Sequence, residues 1–405
     1  MTRKLTLATA GVVAAASAVA VVWSRGPVIP ATSASNDAVS LHATTAASRD
    51  AVSLDATTAA SLDATTAATV TASGVTGVNR NGVSAFPLAP SKADEQRVAA
   101  YWSPERLKQA SSYVPSTKPS HSTTSTTSAV EVGPGDTTPR TRGPHGATPP
   151  PVAAPPMVGK VFFVIGNKEY WCSASAVHSA RRNLVATAGH CAYALSPDKP
   201  VSNWVFIPGY HDGVAPSGIF VGHTLYMHED FAGQGDFDRD YAFVTVHRGF
   251  SWQPYVEDGR LKYRAVDVGR LEDKVGSFRF ASGKPLGRPT YVFGYPAGAN
   301  PDGSRPYTGQ TVKSCSGTTE KKFVSAPTWQ LEHGVRLPGC PFTAGASGGP
   351  WVTGYNAAKR TGYLTGITSL NWNLSGGGRL DAISTPHFNH LTQRVYAQAS
   401  KQGTG

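Results

Sequence analysis

The chain has 405 residues, of which 40% are hydrophobic and 16% are charged, and its formal net charge is +11. Only five of its 38 aromatic residues precede residue 157, so nearly all of the large side chains that can build a core lie in the C-terminal part. This excludes a uniform repeat protein, and the lack of a 20-residue apolar run after residue 30 excludes a polytopic membrane protein. The basic residues are scattered, so the charge does not indicate a nucleic-acid partner.

The first residues have the pattern of a secretory signal. Arg3 and Lys4 precede an apolar stretch over residues 5–23 that is rich in Ala and Val, and small residues suited to signal-peptidase cleavage lie within and after it. The stretch is also just long enough to span a bilayer, so an uncleaved anchor is the alternative. Its many Ala, Thr and Gly residues favour cleavage. We therefore assign residues 1–34 to a signal peptide and expect a secreted protein that touches the membrane only through this segment.

A stretch of low complexity separates the signal from the aromatic-rich part. Residues 37–68 repeat an Asp-Ala-Val-Ser-Leu motif followed by runs of Ala and Thr, and residues 115–156 hold ten of the thirty prolines with many Ser and Thr. Both compositions are typical of disordered segments and extended linkers. Residues 93–112 have helical spacing and are either a small folded element or a transient helix. We group residues 35–156 as a pro-region and linker.

From residue 159 onward, short runs of strand-forming residues alternate with Gly and Pro, as in an all-β sandwich or barrel. The runs cover residues 160–165, 204–207, 241–246, 291–293 and 364–370. Only the end of the chain has a helical pattern, in which Thr385 can cap, Pro386 can occupy the first turn, and apolar residues recur from 388 to 395. These patterns predict an all-β domain over residues 157–402 that is closed by a C-terminal helix.

All four cysteines of the chain fall in this domain, at Cys172, Cys191, Cys315 and Cys340. An even number in an exported chain indicates disulfides, which four cysteines can form in three ways. Pairing of neighbours would close two short loops, and a loop of about 20 residues would stabilise the fold by about 3 kcal/mol. A metal site is the alternative, but no two cysteines are separated by only two residues.

Two titratable residues lie beside predicted strands. His190 follows small residues that permit a tight turn after an apolar run, and Cys191 anchors the backbone beside it, as a positioned general base requires. Asp236, Asp238 and Asp240 lie close together, but only Asp240 abuts the buried run 241–246. Taken singly, a histidine before a cysteine is usually structural, and an aspartate before a strand is usually a turn residue.

The third motif is a serine among glycines. The glycines of residues 345–350 allow backbone N–H groups to converge beside the hydroxyl of Ser347, which is what an oxyanion hole needs. Alone, such a segment is usually a loop. The three motifs, however, follow one another as His190, Asp240 and Ser347, which is one of the known chain orders of the hydrolase triad. The coincidence favours nucleophilic catalysis over three unrelated structural roles.

On these motifs, the part of the chain from about residue 157 to 402 resembles a chymotrypsin-like (trypsin-like) serine protease of the secreted bacterial branch. The resemblance rests on residues 187–191, 240–242 and 345–350. It implies two antiparallel β-barrels with the active site between them, preceded here by a disordered N-terminal extension. It also implies a serine endopeptidase that hydrolyses protein or peptide substrates through an acyl-enzyme and needs no cofactor. We expect a monomer.

The resemblance assigns roles to individual residues. His190 would be the general base, Asp240 would orient it, and Ser347 would be the nucleophile. The backbone N–H groups of Gly345 and Ser347 would form the oxyanion hole. Two disulfides are implied, Cys172–Cys191 and Cys315–Cys340.

Two departures from the family pattern bear on activation and specificity. Ala346 stands where the activatable animal members have an aspartate that pairs with a new N-terminal amine, so that ion pair is not available here. Pro341 stands where trypsin-type specificity uses an aspartate, and Thr368 is expected where glutamate-specific bacterial relatives place a histidine. We therefore expect no strongly charged specificity pocket.

Three other functions fit parts of the sequence. The nucleophile elbow of an α/β-hydrolase esterase would use Ser347 with Asp381 and His387, but that elbow leads into a helix and the residues after Ser347 are poor helix formers. A secreted binding protein that keeps the fold without turnover is the second, and the presence of all three triad residues counts against it. A metal site could be built from His223, His228, Glu229 and Asp230. Their spacing matches no standard motif, which favours solvated loop residues.

Overall fold

A computed structural model of the protein describes residues 68–72, 75–116 and 154–404. The signal peptide, the repeats up to residue 67 and the linker over residues 117–153 lie outside the described residues, so these predictions remain predictions. Among the described residues, no helix is long and apolar enough to cross a bilayer.

The described chain is mostly β-structure. Before the predicted domain, the elements are β1 (Ala68–Ala72), β2 (Val75–Arg80), β3 (Val83–Pro87), α1 (Lys92–Tyr101), α2 (Pro104–Gln109) and β4 (Ser111–Ser112). The first half of the domain contains β5 (Val158–Ile165), β6 (Lys168–Val177), β7 (Leu184–Thr187), β8 (Tyr193–Ala194), β9 (Lys199–Pro200), β10 (Ser202–Pro208), β11 (Phe220–His228), α3 (Glu229–Gln234) and β12 (Ala242–Val246). A long hairpin and a short helix follow, β13 (Gly249–Glu257), β14 (Arg260–Gly269) and α4 (Leu271–Val275).

The second half of the domain consists of short strands and ends in α5, the longest helix of residues 157–402. Its elements are β15 (Arg279–Phe280), β16 (Pro289–Gly294), β17 (Lys313–Thr318), β18 (Val324–Ala326), β19 (Leu331–Pro338), β20 (Pro350–Asn356), β21 (Thr361–Ile367), β22 (Leu370–Trp372), β23 (Ala382–Pro386) and α5 (His390–Ala399).

Six strands close the first barrel. β11, β10, β5, β6, β7 and β12 are hydrogen-bonded in that order, and β12 pairs back with β11, which completes the ring. Every residue of β7 and β12 is buried, as expected for strands that are covered on both faces. The end of β7 and the start of β12 are the two places where the sequence analysis located His190 and Asp240.

Two sheets form a second, half-closed barrel. One contains β15, β21, β20, β16 and β17, and the other contains β18, β19, β23 and β22, each in that order. Val292, Leu337, Trp351 and Ile383 are buried between them. The turn before β20 carries Ser347. The two-barrel all-β fold predicted from the sequence is confirmed, and the five predicted strand runs fall on observed strands, the last being divided between β21 and β22.

The C-terminal helix is confirmed, but it begins later than predicted. Thr385 and Pro386 do not start it, because they belong to β23, which is buried and pairs with β19. Asn389 caps α5 instead, and its side chain accepts the N–H of Leu391 at 2.8 Å. The pairing of a buried strand here overrides a local capping pattern, which is a weak preference by comparison.

Part of the N-terminal extension is folded. β3 extends the sheet of the first barrel by pairing with β11, and α1 and α2 follow it. The folded alternative for residues 93–112 is therefore the correct one, and the folded part begins earlier than that range. Phe86 and Trp102, two of the few aromatic residues before the domain, are buried against the barrel. Burying large apolar side chains is what stabilises this segment.

Candidate active site

His190 lies just after the end of β7, in a single 3-10 turn over Gly189–Cys191. The Cys172–Cys191 disulfide ties this turn to β6 with a Cα–Cα distance of 6.1 Å. The side chain of His190 is only 1% exposed. The turn of small residues and the anchoring cysteine thus hold the imidazole in a fixed place, as the sequence analysis expected.

Asp240 holds His190 at two points. Its Oδ1 accepts the backbone N–H of His190 at 2.9 Å, and its Oδ2 lies 2.9 Å from Nδ1 of the ring. Ser369 donates its hydroxyl to the same Oδ2 at 2.5 Å. The carboxylate is fully buried, and a buried charge is tolerated only when it is hydrogen-bonded in this way. Because a carboxylate only accepts, Nδ1 carries the proton and Nε2 is the basic nitrogen.

The basic nitrogen Nε2 is buried and has no hydrogen-bond partner among the described residues. Phe237 stacks on the ring with a centroid separation of 6.1 Å and an interplanar angle of 18°. The ring centroid of Tyr113 lies 6.0 Å from that of the same imidazole. The imidazole is therefore held by Asp240 and by stacking on Phe237, and Nε2 is left to take a proton.

Ser347 lies in the turn that precedes β20, and two backbone hydrogen bonds fix this turn. Ser173 N–H donates to the Ser347 carbonyl at 2.7 Å, and Gly348 N–H donates to the Thr368 carbonyl at 2.7 Å. Gly348 has φ +77°, and a Cβ there would lie 2.2 Å from Thr187 Oγ1. Only glycine fits that position, and it brings the serine turn against the end of β7, next to the turn of His190. No hydrogen bond joins the hydroxyl of Ser347 to Nε2 in this structure.

The backbone N–H groups of Gly345 and Ser347 have no acceptor among the described residues. The carbonyl of Ala344 accepts from Ala297 and Gly298, both at 2.9 Å. Because the N–H and C=O of a trans peptide point in opposite directions, the N–H of Gly345 points away from these two residues. Two unengaged donors beside a serine hydroxyl are the arrangement that stabilises a developing oxyanion.

The structure contains both disulfides that the resemblance implies. Cys315–Cys340 joins β17 to the segment before the serine turn, with a Cα–Cα distance of 5.7 Å. Since Cys172 and Cys191 are oxidised, their proximity to His190 does not make a metal site. The four residues considered as metal ligands do not converge within the described part of the chain. His228, for example, caps α3 by accepting the N–H of Asp230 at 3.3 Å.

The nucleophile elbow that an α/β-hydrolase esterase would need is not formed. Ser347 leads into the strand β20 and not into a helix. Asp381 accepts the backbone N–H groups of Leu374 and Ser375, and His387 lies 3.1 Å from the carbonyl of Lys284. Both side chains therefore have hydrogen-bond partners other than Ser347.

Thr368, expected where glutamate-specific relatives place a histidine, carries no charge into the cleft. Its hydroxyl accepts the indole N–H of Trp351 at 3.1 Å and the side chain is buried, so it does not line the cleft. The next residue, Ser369, does line the cleft and hydrogen-bonds Asp240. The sequence does not reveal this role, although Ser369 lies near the end of the predicted strand 364–370. Tyr113 was missed as well, because it lies 77 residues before His190 in a segment assigned to the linker region.

A cleft of about 630 Å³ adjoins Ser347. Its walls are formed by Ser369 and the three residues of β22, by Trp171 on β6, and by residues 110–115 of the N-terminal extension. Most other lining side chains are apolar, and Arg305 is the one charged residue among the described lining. The cleft is therefore suited to uncharged groups and has no carboxylate to pair with a cationic side chain.

Comparison with known proteins identifies the family. The model of the trypsin family matches residues 151–391. The protease Anisep from Arthrobacter nicotinovorans is a similar solved structure (28% identity, TM-score 0.48, 62% of this chain and 98% of that chain), and so is the thermostable serine protease AL20 from an extremophilic microorganism (29%, 0.47, 60% and 97%). A Glu endopeptidase is 14% identical, with a TM-score of 0.42 over 62% of this chain and 93% of that chain. No curated protein matches. Because the family match covers more than half of the sequence, the chain belongs to the trypsin family and is a serine endopeptidase.

Proposed function

We propose that His190, Asp240 and Ser347 form the catalytic triad of this endopeptidase and that it acts through an acyl-enzyme. The observation that carries the proposal is the two-point attachment of His190 to Asp240. It directs Nδ1–H toward the carboxylate and leaves the buried Nε2 without a partner in the described part of the chain. A triad histidine needs this tautomer to act as a base.

The reaction follows from these positions. Nε2 of His190 takes the proton of the Ser347 hydroxyl while Oγ attacks the peptide carbonyl, and the negative charge of Asp240 stabilises the imidazolium. The N–H groups of Gly345 and Ser347 donate to the oxyanion. The imidazolium then gives its proton to the leaving amine as the C–N bond breaks, which forms the acyl-enzyme. Water, deprotonated by His190, releases the acid and restores the serine.

We further propose that the protein is secreted, with a signal peptide over residues 1–34 and a catalytic domain over residues 157–402. Two disulfides support an oxidising compartment, since such bonds persist outside the cytosol. N-terminal sequencing of the exported protein tests the signal cleavage, which should fall at or before residue 35. A mature protein that retains Arg3 and Lys4 would show an anchor instead.

A serine-directed fluorophosphonate tests the catalytic assignment. Such a probe needs only the nucleophile and its base, and it is small enough for the cleft beside Ser347. Peptide mapping should find the label on Ser347, and Ser347→Ala and His190→Ala should not be labelled although they fold. Ser375→Ala, at an exposed turn, is the matched control and should be labelled like the wild type. A folded wild-type chain that takes no label would be an inert member of the fold.

A further inference from the structure

The folded part of the N-terminal extension, residues 75–116, is called the N-terminal module here. It docks on the first barrel by strand pairing, with Val83–Pro87 aligned against residues 224–228 of β11. Trp102 is 1% exposed, its ring lies 5.7 Å from that of Phe162, and its indole N–H donates to the carbonyl of Asn203 at 2.6 Å. Such an anchor binds strongly because it is desolvated and fully hydrogen-bonded.

Polar contacts hold the N-terminal module at two further places. Tyr101 donates its hydroxyl to Glu169 at 2.9 Å, and Arg106 forms an ion pair with the same carboxylate. His247 Nε2 lies 2.8 Å from the carbonyl of Ala89. The module is therefore attached along its length by its own contacts, and not merely by its covalent connection to the domain.

The last residues of the module, 110–115, form a strap along the cleft. β4 runs parallel to β6, with Ser111 opposite Tyr170 and Ser112 opposite Trp171. The indole of Trp171 donates to the carbonyl of Ala110 at 3.2 Å, and Tyr113 N–H donates to the carbonyl of Trp171 at 3.0 Å. These residues line the same cleft as Ser347.

The strap uses a sheet edge that adjoins the nucleophile. β7 pairs only with Ser175, Ala176 and Val177 of β6, so the edge of β6 at Trp171 is left to another extended chain. Two residues further along the same strand, Ser173 N–H donates to the carbonyl of Ser347. An extended peptide binds to such an edge through main-chain hydrogen bonds, and the strap already makes them.

Tyr113 fills the space beside the base. Tyr113 is 9% exposed. Its ring centroid lies 5.4 Å from that of Phe163, 5.2 Å from that of Tyr170 and 6.0 Å from that of His190. Burial, together with Tyr170 and the charge of Asp240, raises the pKa of Tyr113 to about 12. The phenol is therefore neutral at ordinary pH and packs there as an aromatic side chain.

We propose that the strap is an autoinhibitory element, which occupies the Trp171 side of the cleft and keeps polypeptide substrates from lying through it. An endopeptidase substrate extends on both sides of the attacked carbonyl, so occupation of one side suffices. The side lined by residues 369–372 stays open to small acylating compounds. The inference rests on the proposed catalytic function, and it makes the intact chain a latent enzyme with a reactive serine.

The test compares the full-length wild type with Tyr113→Ala in two assays, hydrolysis of casein and labelling by the fluorophosphonate. Hydrolysis of labelled casein should rise at least about tenfold, because truncating a buried aromatic anchor releases the strap. Ser347 should still be labelled by the fluorophosphonate in both proteins, which shows that the triad of the variant is assembled. Tyr263→Ala, the same substitution at an exposed position of β14, should behave like the wild type in both. Tyr113→Phe, which keeps the ring, should stay latent.

Equal casein hydrolysis by the wild type and a folded Tyr113→Ala, with Ser347 labelled in both, overturns the autoinhibition and leaves the proposed function intact. Failure of every variant to label overturns the proposed function, and the inhibition with it. If Tyr113→Ala does not fold, Arg106→Ala takes its place, since this exposed side chain can be removed without opening the core. Loss of a surface ion pair should then raise casein hydrolysis about two- to fivefold, and an unchanged rate overturns the proposal.

Discussion

At the scale of single residues, three neighbouring aspartates have three different environments. Asp240 binds His190, whereas Asp238 accepts the backbone N–H groups of Glu332 and His333 on β19 at 3.1 and 2.8 Å. The sequence could distinguish Asp240, because only it directly precedes a buried strand. It could not show that Asp238 ties the first barrel to the second, because its partners lie 94 and 95 residues away.

Asp240→Asn should lower the turnover of a peptide substrate by roughly 10⁴, because an amide facing Nδ1 favours the wrong histidine tautomer. The measurement is kcat with a chromogenic peptide, with thermal unfolding to show that the fold persists. Asp236→Asn is the matched control, since an amide oxygen can still accept the N–H of Asp238 as the carboxylate does at 2.8 Å. Activity of Asp240→Asn within tenfold of the wild type would contradict the role assigned to this carboxylate.

Lys160 is a second residue whose chemistry depends on burial. It lies in β5, it is 1% exposed, and its Nζ is 3.6 Å from the ring centre of Trp171 and 4.4 Å from that of Tyr210. Burial lowers the pKa of Lys160 to about 7, although Asp212 opposes the shift. No carboxylate of the described residues forms an ion pair with it.

Lys160 should make the stability depend on pH in a defined direction. Between the folded pKa of about 7 and the unfolded value of 10.5, the unfolded chain binds more protons than the folded chain, so the free energy of unfolding rises with pH. The slope from this one group is at most about 1.4 kcal/mol per pH unit. Lys160→Met should therefore be the more stable protein at pH 6, and its advantage should shrink toward pH 9. Denaturant unfolding of both proteins across this range measures the difference, and parallel curves would contradict the assignment.

At the scale of elements, local patterns and tertiary contacts contribute differently to the helices. Ser91 and Asp94 form a capping box at the start of α1. The helical spacing of residues 93–101 predicted this helix but not the residue at which it begins. What keeps this segment folded is the docking of Trp102 on the first barrel, a contact that joins positions about a hundred residues apart in the chain. Because the sequence on either side of this segment is of low complexity, the sequence did not indicate that Trp102 packs on the first barrel. The late start of α5 has the same cause, since pairing of β23 with β19 is non-local.

The two disulfides should differ in their effect on catalysis. Cys172–Cys191 fixes the turn of His190 to β6, whereas Cys315–Cys340 joins β17 to Cys340, seven residues before Ser347. Replacing either pair by alanines should cost about 3 kcal/mol of stability, as expected for loops of these lengths. Only loss of Cys172–Cys191 should also lower kcat at temperatures where the variant is folded, because the imidazole then loses its anchor. Thermal unfolding and kcat, measured for both double variants, test this difference. Equal losses of kcat would contradict it.

At the scale of the whole molecule, the candidate site is assembled from both barrels and from the N-terminal module. His190 and Asp240 come from the first barrel, Ser347 and Ser369 come from the second, and Tyr113 comes from the module. The three motifs and their order were enough to recognise the family, and that resemblance implied the two barrels. The spacing of the short strands by itself predicted only an all-β domain. The sequence alone did not reveal the strap, because a two-residue strand of serines has no strand-forming pattern and is held by the edge that receives it.

The cleft between the barrels should reject cationic side chains. Among the described residues, those lining the cleft beside Ser347 include Trp329, Trp372 and Leu380. The one charged residue among them, Arg305, is itself a cation. Burying an ammonium or guanidinium group there without a counter-charge is costly, so kcat/KM should be at least about tenfold lower for a lysine than for a leucine beside the cleaved bond. Peptide p-nitroanilides suit the measurement, because they extend mainly to one side of that bond and do not compete with the strap. Arg305→Gln should narrow the difference by removing the repulsion, whereas Arg279→Gln, outside the described lining, should not. A preference for lysine in the wild type would show that a carboxylate reaches the bound side chain after all.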